Sequence, residues 1–192
     1  MERKRLTNEQ DIIKACIKGE SWAQKAIFDQ YAPTMLSVCV RYVSDYETAR
    51  DILQDGFVRL FSKIETFSGT GAFGGWARRI FVTTALEHLR RNDALKNADS
   101  IDDFHNHFEN NEVNVIDKIS ADDLMQCIAE LPDGYKAVFN MFAIEGYSHA
   151  EIAEMLGIND ITSRTQYMRA RKMLQKKIEL LIGEDYAKQY RK

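Results

Sequence analysis

Asp51, Gln54 and Asp55 stand one helical step from each other, so a helix would gather two carboxylates and an amide on one face. A cluster of that kind offers acceptors and negative charge to a basic partner, whereas an ordinary solvated face mixes Lys with Glu. A second constellation runs from Trp76 to Arg91, where arginines interleave with aromatic and aliphatic residues next to the Gly-rich stretch Phe67–Gly75. Cations that track phosphates, with rings that stack on unpaired bases, are what single-stranded nucleic acid requires. Phe73, Arg78 and Arg79 are the readiest contacts there, with Thr83, Arg90 and Arg91 further along. Trp76, Ile80 and Leu89 are assigned to the core by burial preference. A third constellation, Ile161 to Lys177, holds six basic residues and no acid. Ser163, Arg164, Thr165 and Gln166 at its start can read base edges: Arg pairs with guanine, Gln with adenine, and hydroxyls with either. Arg164, Met168 and Arg171 share a face, and Arg169, Arg171 and Lys172 are placed for phosphates, which position without specifying. Ile161, Tyr167, Ala170 and Leu174 are left for packing.

These groups need helices to carry them. Ile12, Ile13, Cys16 and Ile17 give one apolar stripe ending near Gly19. A second helix starts at about Ser21 with Trp22, Ala26, Ile27 and Tyr31 inward, and a third holds Met35, Leu36, Val38, Cys39, Tyr42 and Val43. Ser44-Asp45-Tyr46-Glu47 has the form of a capping box and opens the helix bearing Asp51 to Phe61, on which Ile52, Leu53, Phe57, Leu60 and Phe61 can bury one side. Phe67–Gly75 reads as a flexible loop; it lacks the Gly-Lys-Ser/Thr of a phosphate cradle. A helix follows from about Trp76 to Arg91. Later, Pro132 suits the first turn of a helix with Tyr135, Val138, Phe139 and Phe142 on its apolar face, ended by Gly146. Ser148-His149-Ala150-Glu151 is a second capping box, starting a short helix to Leu156. Gly157–Asp160 is a turn, and a basic helix runs from about Ile161 to Leu181. Short helix, Gly-containing turn and second helix make a helix-turn-helix.

The chain has 192 residues, 45% of them hydrophobic, and only two prolines and ten glycines, which favours an all-α fold. Its net charge of −3 conceals an uneven distribution. Nine acids and two bases lie between Asn92 and Asp123, a local −7 that leaves +4 for the remainder. Local basic blocks, not the total, govern phosphate attraction over a Debye length of ~8 Å. Asn97 to Asn114 lacks helical periodicity and reads as a linker. It sets an N-terminal helical domain at 8–95, an acidic linker at 96–116 and a C-terminal helix-turn-helix domain at 117–185. Cys16, Cys39 and Cys127 are odd in number and lie within apolar patterns, as core thiols of a reducing cytoplasm do. His88, His105, His107 and His149 stand without partner ligands. No cofactor, metal, catalytic group, secretory signal or membrane helix is expected.

Three segments in order resemble a short, two-domain sigma factor of the extracytoplasmic function (ECF) group of the sigma-70 family. Ala49–Phe61 resembles the helix that grips the clamp of core RNA polymerase. Phe67–Arg91 resembles the loop and helix that melt the minus-ten element. Leu131-Pro132-Asp133-Gly134-Tyr135 through Leu174 resembles the module that reads the minus-thirty-five element, and the wording Glu145-Gly146-Tyr147-Ser148-His149 resembles Bacteroidetes-type members. Three positions depart from the pattern: Arg50 where Glu is usual, Thr83 and Glu87 where Asn and Asp are common, and Ile161 where a small residue is usual. The resemblance implies a non-enzymatic initiation factor. Asp51, Gln54 and Asp55, supported by Phe57 and Phe61, would dock on the largest subunit's clamp. The Gly-rich loop would capture an unstacked base, and the acidic linker would pass near the polymerase channel. An anti-sigma factor is implied as a further partner. Two other readings compete: a stand-alone helix-turn-helix regulator, which leaves Ala49–Arg91 unexplained, and a helical interaction module with an acidic protein partner.

Overall fold

The computed structural model describes residues 8–43, 45–91 and 120–189, with side chains described through 183. The acidic linker, with His105 and His107, and the first residue of the expected capping box, Ser44, lie outside the described residues. All regular structure among the described residues is helical. The chain divides into two compact units, residues 1–88 and 89–192.

The first unit begins with α1 (Glu9–Ile17), capped by Asn8, whose side chain accepts from the Gln10 amide. Gly19, at φ +78°, makes the turn that a side-chain-bearing residue would resist. One helix, α2 (Ser21–Tyr42), then replaces the two expected. Pro33 lies inside it on the exposed side, as does Asp29, whose carbonyl would otherwise accept from position 33. That carbonyl can therefore meet water, while Ala23, Ile27, Met35, Val38, Cys39 and Tyr42 hold one buried face across the proline. Trp22, expected inward, is exposed, because Ala23 takes the buried position beside it.

Helix α3 (Tyr46–Lys63) is capped by Asp45, which accepts from the Thr48 amide at 2.7 Å. The cap thus sits one residue later than the expected box. The bonds to Thr48 hold the Asp45 carboxyl below its usual range. A short 3-10 turn (Ile64–Thr66) ends this helix, and α4 (Phe73–Arg91) begins three residues earlier than expected. Gly56 is where α3 approaches Phe81 of α4: a Cβ there would lie 2.3 Å from the ring. The core holds Met35, Val38, Tyr42, Ile52, Leu60, Phe81 and Val82, all essentially inaccessible. Cys16 and Cys39 are buried thiols, as Cys127 is in the second unit; burial pushes Cys39 up to about 12.

The second unit opens with α5 (Ala121–Ala129), capped by Ser120 and followed by α6 (Asp133–Phe139). A single π turn, Asn140–Ile144, continues α6 until Gly146 at φ +79° stops it. The capping box of α7 (His149–Leu156) is complete: Ser148 accepts from the Glu151 amide, and Glu151 accepts from the Ser148 amide. Gly157, in the left-handed region at φ +68°, ends α7. Asn159 then accepts from the Thr162 amide at 2.6 Å and starts α8 (Asp160–Gln189). Cys127, Ile128, Leu131, Tyr135, Ala170 and Leu174 form the core on which α5, α6 and α8 meet.

Candidate functional site

Helix α3 presents Asp51, Gln54 and Asp55 together on its exposed side, while Ile52, Leu53, Gly56, Phe57 and Leu60 face inward. Phe57 is buried, 5.0 Å from the Phe81 ring and 4.7 Å from Phe28. It supports the fold and cannot touch a partner, contrary to its expected docking role. Phe61 is half-buried and stacks on Phe57 at 5.9 Å. The apolar residue that does continue the acid and amide face is Val58, four residues after Gln54 and 70% exposed. The signal was in the sequence: Val58 falls at the i+3 and i+4 spacing from Asp55 and Gln54. Arg50, the atypical residue, pairs with Glu47 at 3.3 Å.

The basic and aromatic constellation is rearranged by burial. Phe73, expected to lie in the loop and stack on a base, is 1% exposed. It opens α4 and packs edge-on against Phe67 and Tyr31, with Trp76 at 5.4 Å. A large ring at the loop's root gains more from this cluster than from solvent. Trp76, assigned to the core, instead lines a groove of about 260 Å³ with Arg59, Lys63, Arg79, Ile80 and Thr83. Arg59 and Lys63 come from α3, so periodicity within α4 could not find them. The Arg59 guanidinium meets the Glu87 carboxylate at 2.6 Å across the groove, and the Thr83 hydroxyl donates to the Arg79 carbonyl. Arg79, Arg90 and Arg91 are exposed and Arg78 is half-exposed. Between Phe67 and Phe73 the loop is exposed, with Gly69 and Gly71 at positive φ.

Helices α7 and α8 pack as the expected helix-turn-helix. Two expected base readers are withdrawn from its surface. Ser163 is fully buried and shares a 2.9 Å hydrogen bond with His149 Nδ1, and Gln166 is buried one turn later. The reason is the helix phase: Ser163, Gln166, Ala170 and Leu174 form the inward stripe. His149 stacks on Phe142 at 4.2 Å, and Tyr167 packs against both rings. Burial, then the Arg164 charge, holds the His149 pKa below its ordinary value. Ile161, expected to pack, is 75% exposed. Arg164, Thr165, Met168, Arg171 and Lys172 are exposed beside it, and Arg169 is half-buried, donating to the Tyr135 hydroxyl at 3.3 Å. Arg164 donates to Asp160 at 2.7 Å. Among the described residues no cluster of His, Cys, Asp or Glu could hold a metal ion, and no helix is long and apolar enough to cross a membrane.

Fold and surfaces together define a helical protein built of two units, the second a helix-turn-helix. The model of Sigma-70 region 2 matches residues 27–95, and that of Sigma-70, region 4 matches residues 121–174. The chain belongs to the sigma-70 family, in its extracytoplasmic function group. It is 27% identical over 192 residues to the RNA polymerase sigma-H factor of Pseudomonas aeruginosa, covering 93% of this chain and 99% of that protein. To the ECF RNA polymerase sigma-E factor of Haemophilus influenzae it is 27% identical over 184 residues, covering 91% and 97%. It shares its fold with the sigma factor RpoE of Bartonella quintana, solved in complex with the anti-sigma factor NepR. The TM-score is 0.52 at 16% identity, covering 81% of this chain and 96% of that one.

Proposed function

We propose that this chain is a sigma factor that binds core RNA polymerase and directs promoter recognition, melting and initiation. The observation that carries it is the presence of region 2 and region 4 matches, in that order, in one chain. A stand-alone helix-turn-helix regulator would need only the second.

Residues 8–95 dock on the clamp coiled coil of the largest subunit through Asp51, Gln54 and Asp55, with Val58 as the apolar contact. The same domain holds the opened minus-ten strand. Trp76 offers a stacking face, Arg59, Lys63 and Arg79 offer cations along the groove, and half-exposed Arg78 stands next to Arg79 on α4. An unstacked base is received by the exposed loop before Phe73, whose own ring buttresses that loop from beneath. Arg90 and Arg91 meet phosphates downstream on α4, and Thr83 borders the bases. Residues 96–116 link the two domains. Residues 117–185 hold the minus-thirty-five element as duplex, with α8 in the major groove and Arg169, Arg171 and Lys172 toward phosphates. The factor acts in the cytoplasm, without catalysis of its own, and an anti-sigma factor is its antagonist. The wording around Gly146 and Ser148 supports a Bacteroidetes-type origin.

The test is transcription in vitro with purified chain and bacterial core polymerase on a promoter library. Promoter-specific transcripts that need the chain, and that Gln54→Ala reduces, are expected. Tight duplex binding without polymerase, indifferent to Gln54→Ala, would establish the regulator reading instead.

A further inference from the structure

The outward face of α8 offers less hydrogen-bonding chemistry than its residue types promise. Ser163 is buried against His149 and Gln166 is buried. Arg164 Nε is tied to Asp160 at 2.7 Å, and the Thr165 hydroxyl donates to the Ile161 carbonyl at 2.8 Å. The apolar groups left outward on that face are Ile161 at 75% exposure and Met168 at 42%, with exposed Thr165 between them and Arg164 at their side. Ile161 is β-branched and therefore stiff, and it stands in the first turn, where a recognition helix meets base edges. Arg171 and Lys172 continue the exposed face, and no acid lies between Ile161 and Lys177. An apolar stripe in a cationic frame fits a polyanion that carries a few apolar groups. The major groove offers one such group, the 5-methyl of thymine.

We infer that Ile161, with the Thr165 methyl and Met168, is the specificity-determining stripe of α8 and reads thymine methyl groups in the upstream duplex. The inference rests on the reading of residues 117–185 as the duplex-binding module and deepens it.

The experiment uses holoenzyme assembled from the full chain and core polymerase. A randomised duplex pool is selected for binding, and each upstream thymine of the selected duplex is then replaced by deoxyuridine, which removes only the methyl. Deoxyuridine at the positions facing the stripe is expected to weaken binding about fourfold per methyl, the value of one buried apolar carbon. Ile161→Ala is expected to lower the thymine-to-deoxyuridine ratio toward one, Thr165 and Met168 keeping a remainder, with an unchanged Tm because the side chain is exposed. Arg171→Ala is expected to weaken both duplexes alike and keep their ratio. A selected upstream sequence without thymine dependence overturns the inference, and so does a deoxyuridine effect that Ile161→Ala leaves intact. Loss of holoenzyme assembly in Ile161→Ala with an unchanged thymine-to-deoxyuridine ratio also overturns it, in favour of a protein contact. Failure to select any upstream sequence removes the duplex-binding reading itself.

Discussion

Val58 and Phe57 are neighbours in the chain with opposite fates: Phe57 lies on the buried face of α3, and the helix's turn of about 100° per residue carries Val58 off that face. Val58 stands outward with Gln54 and Asp55, so its replacement tests docking without touching packing. Val58→Asp is expected to weaken core-polymerase affinity by about tenfold, as truncation of a central interface residue does, with Tm unchanged. Titration of holoenzyme formation, beside a melting curve, checks both parts. His149 makes a different prediction. Its pKa in the fold lies below the ordinary 6.5, through burial first and Arg164 second, with Asp160 opposing them. The unfolded chain therefore takes up the proton first as pH falls. The stability that the neutral ring contributes is present above about 6.5 and is lost as pH drops toward the folded-state value. Denaturant unfolding of the second unit at pH 7.5 and 5.5 should show this loss, and His149→Gln should flatten it.

The packing of elements explains which residues stayed hidden from a reading by periodicity. The α2 register is continuous from Ala23 to Tyr42, and one proline on the exposed side does not divide it. At Gly56 the constraint comes from another element altogether. A methyl added there would lie 2.3 Å from two atoms of the Phe81 ring, which is itself fully buried and cannot yield cheaply. Gly56→Ala gains helix propensity on α3 but is expected to cost a net ~1–3 kcal/mol by overpacking. That appears as a drop of several degrees in the unfolding transition of the first unit, measured by calorimetry on the full chain, with the second unit's transition unmoved. Phe73 and Trp76 exchange their expected roles for a similar reason. The ring that roots the loop is claimed by Phe67 and Tyr31, and the one a turn later is left to line the groove with Arg59 and Lys63 of α3.

Over the whole molecule, a net charge of −3 coexists with DNA binding because the acids are concentrated between Asn92 and Asp123. Arg171 and Lys172 stand outside that segment and are exposed. Promoter affinity of the holoenzyme should fall steeply with salt. Arg171→Ala should reduce the magnitude of the log–log slope by about 1, the share of a single neutralised phosphate. An unchanged slope would remove Arg171 from the phosphate-binding set. The class of the protein was legible without coordinates: helical periodicity, the Ser148 capping box, the Gly157 turn and the order of the three constellations are local or linear properties, written in residue types and spacing. Which members of each constellation reach the surface was set by the packing of helix on helix. Burial depends on what a neighbouring element brings against a given face, and so Phe57, Phe73, Ser163 and Gln166 went inward while Val58 and Ile161 stayed exposed and Trp76 came to line a groove.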